Sequence, residues 1–307
     1  MCSLGAKPHC ETSDPAPIIP INPANLEPGD GKGANAMRAA QSFTSFTIAA
    51  VACLFAAQAH AGSAWDDIRP SAFGDRVIAD GQGVLTFKAP YRAEDQRAVP
   101  ISVEAAFSDG RKVKSVTFVI DENPMPVAAK FTFADNRDRV ALEINIRLDH
   151  QSPVRAIVET SDGALYMSEK FVKASGLGVC AAPPVGDERE LARTMGQMRL
   201  TDLTGSDKAA GATRFRRQAA LDIRHPQNTG MQMNQITLLY IPLRYVSAIE
   251  VRQGDEKLFD LTGSMTLSEN PHIEFDYLLN GAATLKVQTK DTSETVWNQE
   301  FPVGSGS

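Results

Sequence analysis

Cys180 lies in "SGLGVCAAPPVG" (175–186), where three glycines and two prolines in twelve residues keep the chain out of a core strand or a helix interior. A thiol in such a setting has little to pack against. Its chemistry is that of a nucleophile: the thiolate attacks sulfur, forms an S–S bond and is released by exchange. Gly176 and Gly178 are expected to give this arm its flexibility. The nearest preceding cation, Lys173, is seven residues away, so activation of the thiol is expected from a partner. The bland alternative is an inert, half-buried cysteine.

Export decides whether that thiol stands alone. "MRAAQSFTSFTIAAVACLFAAQAHA" (37–61) has a basic Arg38, an apolar run and the small-residue pattern Ala59-His60-Ala61, the marks of a secretory signal peptide. Its apolar core is too short for the roughly 30 Å of a bilayer interior. A lipid-bearing Cys53 in "AVAC" is the rival, but Ala50 fits poorly three positions before it. Residues 1–36 are proline-rich and aperiodic, and are expected to be a mis-called or disordered leader. Cleavage after Ala61 gives a periplasmic chain beginning at Gly62, with no membrane anchor. Of the four cysteines, Cys2, Cys10 and Cys53 precede that point and only Cys180 follows it. A lone thiol in an oxidising compartment is expected to form a disulfide dimer or a mixed disulfide.

Other chemistries find less support. His150, His225 and His272 have no partner at the spacing of common zinc motifs, so neither a metal centre nor a cofactor is expected. His225 with Met231 and Met233 offers a weaker, copper-type set of soft ligands. There is no nucleophile elbow and no phosphate-cradling glycine loop, so the chain is not read as an enzyme. With 31 basic and 37 acidic residues the net charge is −6, which argues against a nucleic-acid partner. "RFRR" (214–217) reads as the solvated face of a strand or turn.

The elements that must position Cys180 are strands. "GVLTFKAP" (83–90), "AVPISVEAAF" (98–107), "KVKSVTFVID" (112–121) and "ALEINIRL" (141–148) alternate with partial period two. "PVRAIVETSDGALYMSEKFVKA" (153–174) reads as a hairpin turning at "SDG". A second block, over 216–226, 234–261, 271–280, 283–291 and 295–303, repeats the pattern, with turns at "QGDEK" and "LNGAA". Between the blocks "DERELARTMGQMRL" (187–200) predicts a short helix, with Asp187 and Glu190 as its capping pair and Leu191, Met195 and Met198 on one face. The expectation is all-β: immunoglobulin-like sandwiches over 65–174 and 206–304, joined by a flexible cysteine-bearing connector over 175–205.

These segments resemble a known carrier system. "DENPMPVAAKFTF" (121–133) is similar to the Asn-Pro-x-Pro and Ala-Ala-x-Phe elements of SoxY, and "GLGVC" (176–180) sits where that subunit's arm would be. "DIRHPQNTG" (222–230) and "SENPHIEF" (268–275) resemble segments of SoxZ. The resemblance covers nearly all of 65–303, and the most similar group is the fused SoxYZ-like carriers associated with quinoprotein dehydrogenases. It implies a non-enzymatic carrier of sulfur intermediates in thiosulfate oxidation. The sulfur-bearing thiol would be Cys180, flanked by Gly176 and Gly178. The alternative is an accessory protein for a periplasmic quinoprotein dehydrogenase, with Cys180 incidental. The family arm ends the chain, whereas this one continues through Pro183 and Pro184 into a second domain. With anchors near Ala174 and Asp187, the thiol's reach is expected to be at most roughly 20–25 Å.

Overall fold

The computed structural model describes residues 63–175, 178, 188–204 and 215–303. The expected leader over 1–36, the expected signal peptide over 37–61, Gly176 and Cys180 lie outside the described residues.

The chain opens with helix α1 (Ala64–Phe73), which the strand-only reading misses. The Asp66 carboxylate accepts the Ser63 N–H at 3.0 Å, a reciprocal N-terminal cap. Trp65, Ile68 and Phe73 pack on a small cluster of Val119, Ile157 and Leu165, so the helix shields one sheet face. Trp65 also lies under the Arg155 guanidinium, 4.3 Å from its ring centre, while Arg155 pairs with the buried Asp121 at 2.7 Å.

Eight strands follow: β1 (Ile78–Asp80), β2 (Leu85–Lys88), β3 (Val99–Ala106), β4 (Val113–Ile120), β5 (Val127–Arg137), β6 (Arg139–Ile146), β7 (Ser152–Thr160) and β8 (Leu165–Val172). Alternation is clean where one face meets water, as along β3 and β6, and is lost along β4 and β7, where neighbouring layers cover both faces. Gly163 takes φ +84° in the expected β7–β8 turn. Then come α2 (Glu188–Thr194) and β9 (Met198–Asp202), followed by β10 (Arg216–Ile223), β11 (Val246–Gln253), β12 (Glu256–Gly263), β13 (His272–Leu278), β14 (Thr284–Asp291) and β15 (Val296–Pro302).

The helix is therefore shorter than the 187–200 expectation. Met198 belongs to β9, buried where that strand pairs with β10, so the second half begins inside the supposed connector. "NQITLLYIPLRY" (234–245), read as strand, is a loop closed by the isolated bridges Asn228–Arg244 and Met233–Tyr240. Its apolar residues Ile236, Leu238, Leu239, Tyr240 and Leu243 are exposed to water rather than packed in a core.

The strands form two sheets. The larger runs β1-β8-β7-β4-β5-β12-β11-β14-β15, the smaller β2-β3-β6-β13-β10-β9. Each crosses from the first half of the chain to the second through an antiparallel pair. In the larger, Phe131 on β5 faces Leu261 on β12; in the smaller, Ile144 on β6 faces Ile273 on β13. The two sandwiches thus share both sheets and one hydrophobic core. Phe118, Phe131, Phe259 and Phe275 form a continuous file across the seam, with successive ring centres 6.2, 5.5 and 5.1 Å apart. Such aromatic pairs contribute about 0.5–1.5 kcal/mol each beyond simple burial. Among the described residues no helix is long and apolar enough to cross a membrane.

Candidate functional site

The chain leaving β8 does not go free at Ala174. Lys173 N–H donates to the Tyr91 carbonyl at 2.8 Å, and Ala93 N–H to that of Lys173 at 2.9 Å. The Lys173 ammonium lies 5.1 Å from the centre of the Tyr91 ring. Gly178 is then wedged in the protein: its N–H donates to the Leu148 carbonyl at 3.1 Å, and Leu148 N–H donates to that of Gln96 at 2.8 Å. A Cβ on Gly178 would sit 2.6 Å from the Gln96 oxygen and closer still to that of Leu148. The requirement for glycine at 178 is therefore space between two carbonyls. The expected flexible hinge is, at this residue, a docking point, and the anchor lies at 178 rather than near Ala174.

The strip that receives Gly178 is held by the Asn-Pro-x-Pro segment. Asn123 donates from Nδ2 to the Arg147 carbonyl at 2.7 Å and accepts the Asp149 N–H at 3.0 Å, bracketing Leu148. The same Nδ2 lies 3.4 Å from Thr266 Oγ1, whose hydroxyl donates to the Met125 carbonyl at 2.7 Å. Arg147, 2% exposed, sends its guanidinium into the second half, donating to the carbonyls of Gln227 and, at 3.4 Å, Pro226. Burial pulls its pKa down to about 10, so it remains a cation at neutral pH.

The Arg-His-Pro segment completes the corner. His225 is fully buried, its Nδ1 accepting the Gln227 N–H at 3.1 Å and its Nε2 lying 3.5 Å from Asp291. Burial pushes its pKa to about 4, outweighing the raising effect of Asp291, so the ring is neutral. Burial pushes Asp291 up, but the Arg244 hydrogen bond and two backbone donors more than offset it and hold the carboxyl below its usual range. Asn270, from the second Asn-Pro segment, accepts the His225 N–H at 3.1 Å and donates its own N–H to the His225 carbonyl at 2.8 Å. His225 is thus a structural post and cannot open outward to a copper ion with the exposed Met233.

Each segment that carries the resemblance contributes a residue to this corner: Asn123, Gly178, His225 and Asn270. Sequence reading finds the motif residues but misses Gln96, Leu148 and Arg147, which act through backbone carbonyls or from across the seam. It also misses a second cluster. On the outer face of the smaller sheet His272 Nδ1 lies 2.7 Å from Asp222 and its Nε2 3.3 Å from Glu274. The Glu274 and Asp222 contacts outweigh burial and hold this imidazole up at about 9.

Beyond the corner, the loop over 231–243 turns Ile236, Leu238, Leu239 and Tyr240 to solvent, each about two-thirds exposed or more. From His225 to Leu243 the sequence contains no Asp, Glu, Lys or Arg.

Comparison with known proteins accords with this arrangement. Residues 69–180 match the family model of the sulfur oxidation protein SoxY, and 208–302 match that of the sulphur oxidation protein SoxZ. The chain thus joins a SoxY-type segment and a SoxZ-type segment in one polypeptide, which supports a sulfur-oxidation carrier role. These matches support a fused SoxYZ-like carrier. Among solved structures, the sulfur carrier protein SoxY from Chlorobium limicola f thiosulfatophilum aligns at 23% identity and TM-score 0.32, over 36% of this chain and 92% of that one. No match was found among curated proteins.

Proposed function

We propose that the protein is an exported, periplasmic carrier that holds sulfur intermediates on Cys180 and presents them to partner enzymes without catalysing their conversion. The observation that carries this reading is the locked arm root. Gly178 is clamped between Leu148 and Gln96 two residues before Cys180, and the SoxY match ends at that cysteine. Two residues of chain span at most about 7 Å. A partner is then expected to bring its reactive centre within about that distance of the corner, closer than the roughly 20–25 Å reach of an arm anchored near Ala174. Docking on the sandwich body is then part of transfer. The uncharged apolar loop over 231–243, whose base is closed beside Gln227 by the Asn228–Arg244 bridge, supplies a surface for it.

Loading with thiosulfate joins Cys180 Sγ to the sulfane sulfur, forms one S–S bond and releases two electrons. The partner must hold the electron acceptor. The test is intact mass after incubation with thiosulfate and the partner oxidase: the adduct is expected on the parent chain and not on Cys180→Ser. An unchanged parent mass overturns the reading. The exposed loop also suits an accessory protein of a quinoprotein dehydrogenase. If that is the role, Cys180→Ser retains the dehydrogenase in a pull-down and supports its turnover as well as the parent does.

A further inference from the structure

We propose that Glu143, His272 and Glu274 form a binding site for a divalent first-row transition metal, zinc being the probe of choice, which bridges the two halves of the chain. The donor atoms of the three residues all lie within 4.8 Å of one another. This suits a cation about 2.0–2.2 Å from imidazole nitrogen and carboxylate oxygen. The strands set this geometry. His272 and Glu274 are two apart on β13 and so share a face, while Ile273 and Phe275 turn into the core. Glu143 on β6 is directly opposite Glu274 across the seam.

The second observation concerns the ring. Asp222 on β10 is directly opposite His272, and its Oδ1 receives Nδ1–H at 2.7 Å, while its Oδ2 takes the exposed Arg199 at 3.3 Å. That contact holds Nδ1–H and aims Nε2 at the glutamates, the carboxylate–histidine arrangement that orients metal-bound imidazoles; the metal takes the place of the proton between Nε2 and Glu274, which leaves to solvent. Glu274 is 4% exposed, whereas the His272 side chain keeps a quarter of its surface in water, which leaves an entry path. Three protein donors with an open side match a zinc site completed by water. The spacing of histidines along the chain could not reveal it, because each donor after the first comes from a neighbouring residue on the face or from across the sheet.

The test is a zinc titration of the full chain carrying Cys180→Ser, which removes the competing thiol, followed by calorimetry and chelator competition. One equivalent is expected to bind and to raise the thermal midpoint. His272→Gln is expected to weaken binding by about 100-fold, and Asp222→Asn, acting through the ring, by about 10–100-fold. Metal-free thermal melts of each variant check that it folds. If His272→Gln fails to fold, Glu143→Gln serves in its place, since it keeps a hydrogen-bonding side chain and loses a ligand charge. Absence of zinc binding by the parent, or undiminished affinity in a folded ligand variant, overturns the proposal.

Discussion

At Gly178 and His225 single atoms decide the outcome. Adding a methyl group to Gly178 drives carbon into two backbone oxygens that hydrogen bonds hold in place. Relief must come from lifting the arm off the Leu148 strip, at a cost of about 1–3 kcal/mol. Gly178→Ala is therefore expected to speed amide exchange at 178 and labelling of Cys180, with little change in the global melt. Unchanged exchange would show that the clamp does not hold the root. His225 makes the same corner sensitive to acid. Its pKa is depressed from 6.5 to about 4, so its stabilising effect is complete above pH 6.5 and is lost as pH falls towards 4. The shift corresponds to roughly 3 kcal/mol. Urea melts of the parent should steepen in their pH dependence across that window, and His225→Asn, which can still accept the Gln227 N–H but does not titrate, should flatten it. Equal slopes would assign the acid sensitivity elsewhere.

The elements differ in how plainly the sequence announces them. β3, β6 and β14 alternate because one face meets the core and the other water, so period two is legible in each. The loop over 234–245 is as rich in apolar residues as a strand, with Leu238 to Ile241 consecutive, but no sheet lies beside it, and composition alone does not reveal a missing neighbour. Helix α1 was hidden by Pro70 and by its place directly after an apolar stretch of sequence, although Ser63 and Asp66 already spelled a cap. Within the site, Asn123, His225 and Asn270 were readable as motifs, but what they hold was not. Their partners are the carbonyls and amides of residues 147–149 and 225–227, and a backbone atom carries no letter in the sequence.

Across the whole molecule the seam changes what the two halves are. The sequence alone suggests two independent sandwiches on a connector, but two strand pairs and the phenylalanine file bind them into one body. Calorimetric unfolding is accordingly expected to show one cooperative transition, with the van't Hoff and calorimetric enthalpies equal. Two resolved transitions would show that the seam is weaker than either half.

The β5–β12 and β6–β13 pairs have one more consequence, for life before folding is complete. A half made alone would present two long unpaired strand edges, templates for indiscriminate sheet growth. Each half is the other's edge cover. Joining them in one polypeptide fixes their ratio at one to one and keeps the right partner at high local concentration from the moment of synthesis. Fusion thus acts as a safeguard against aggregation.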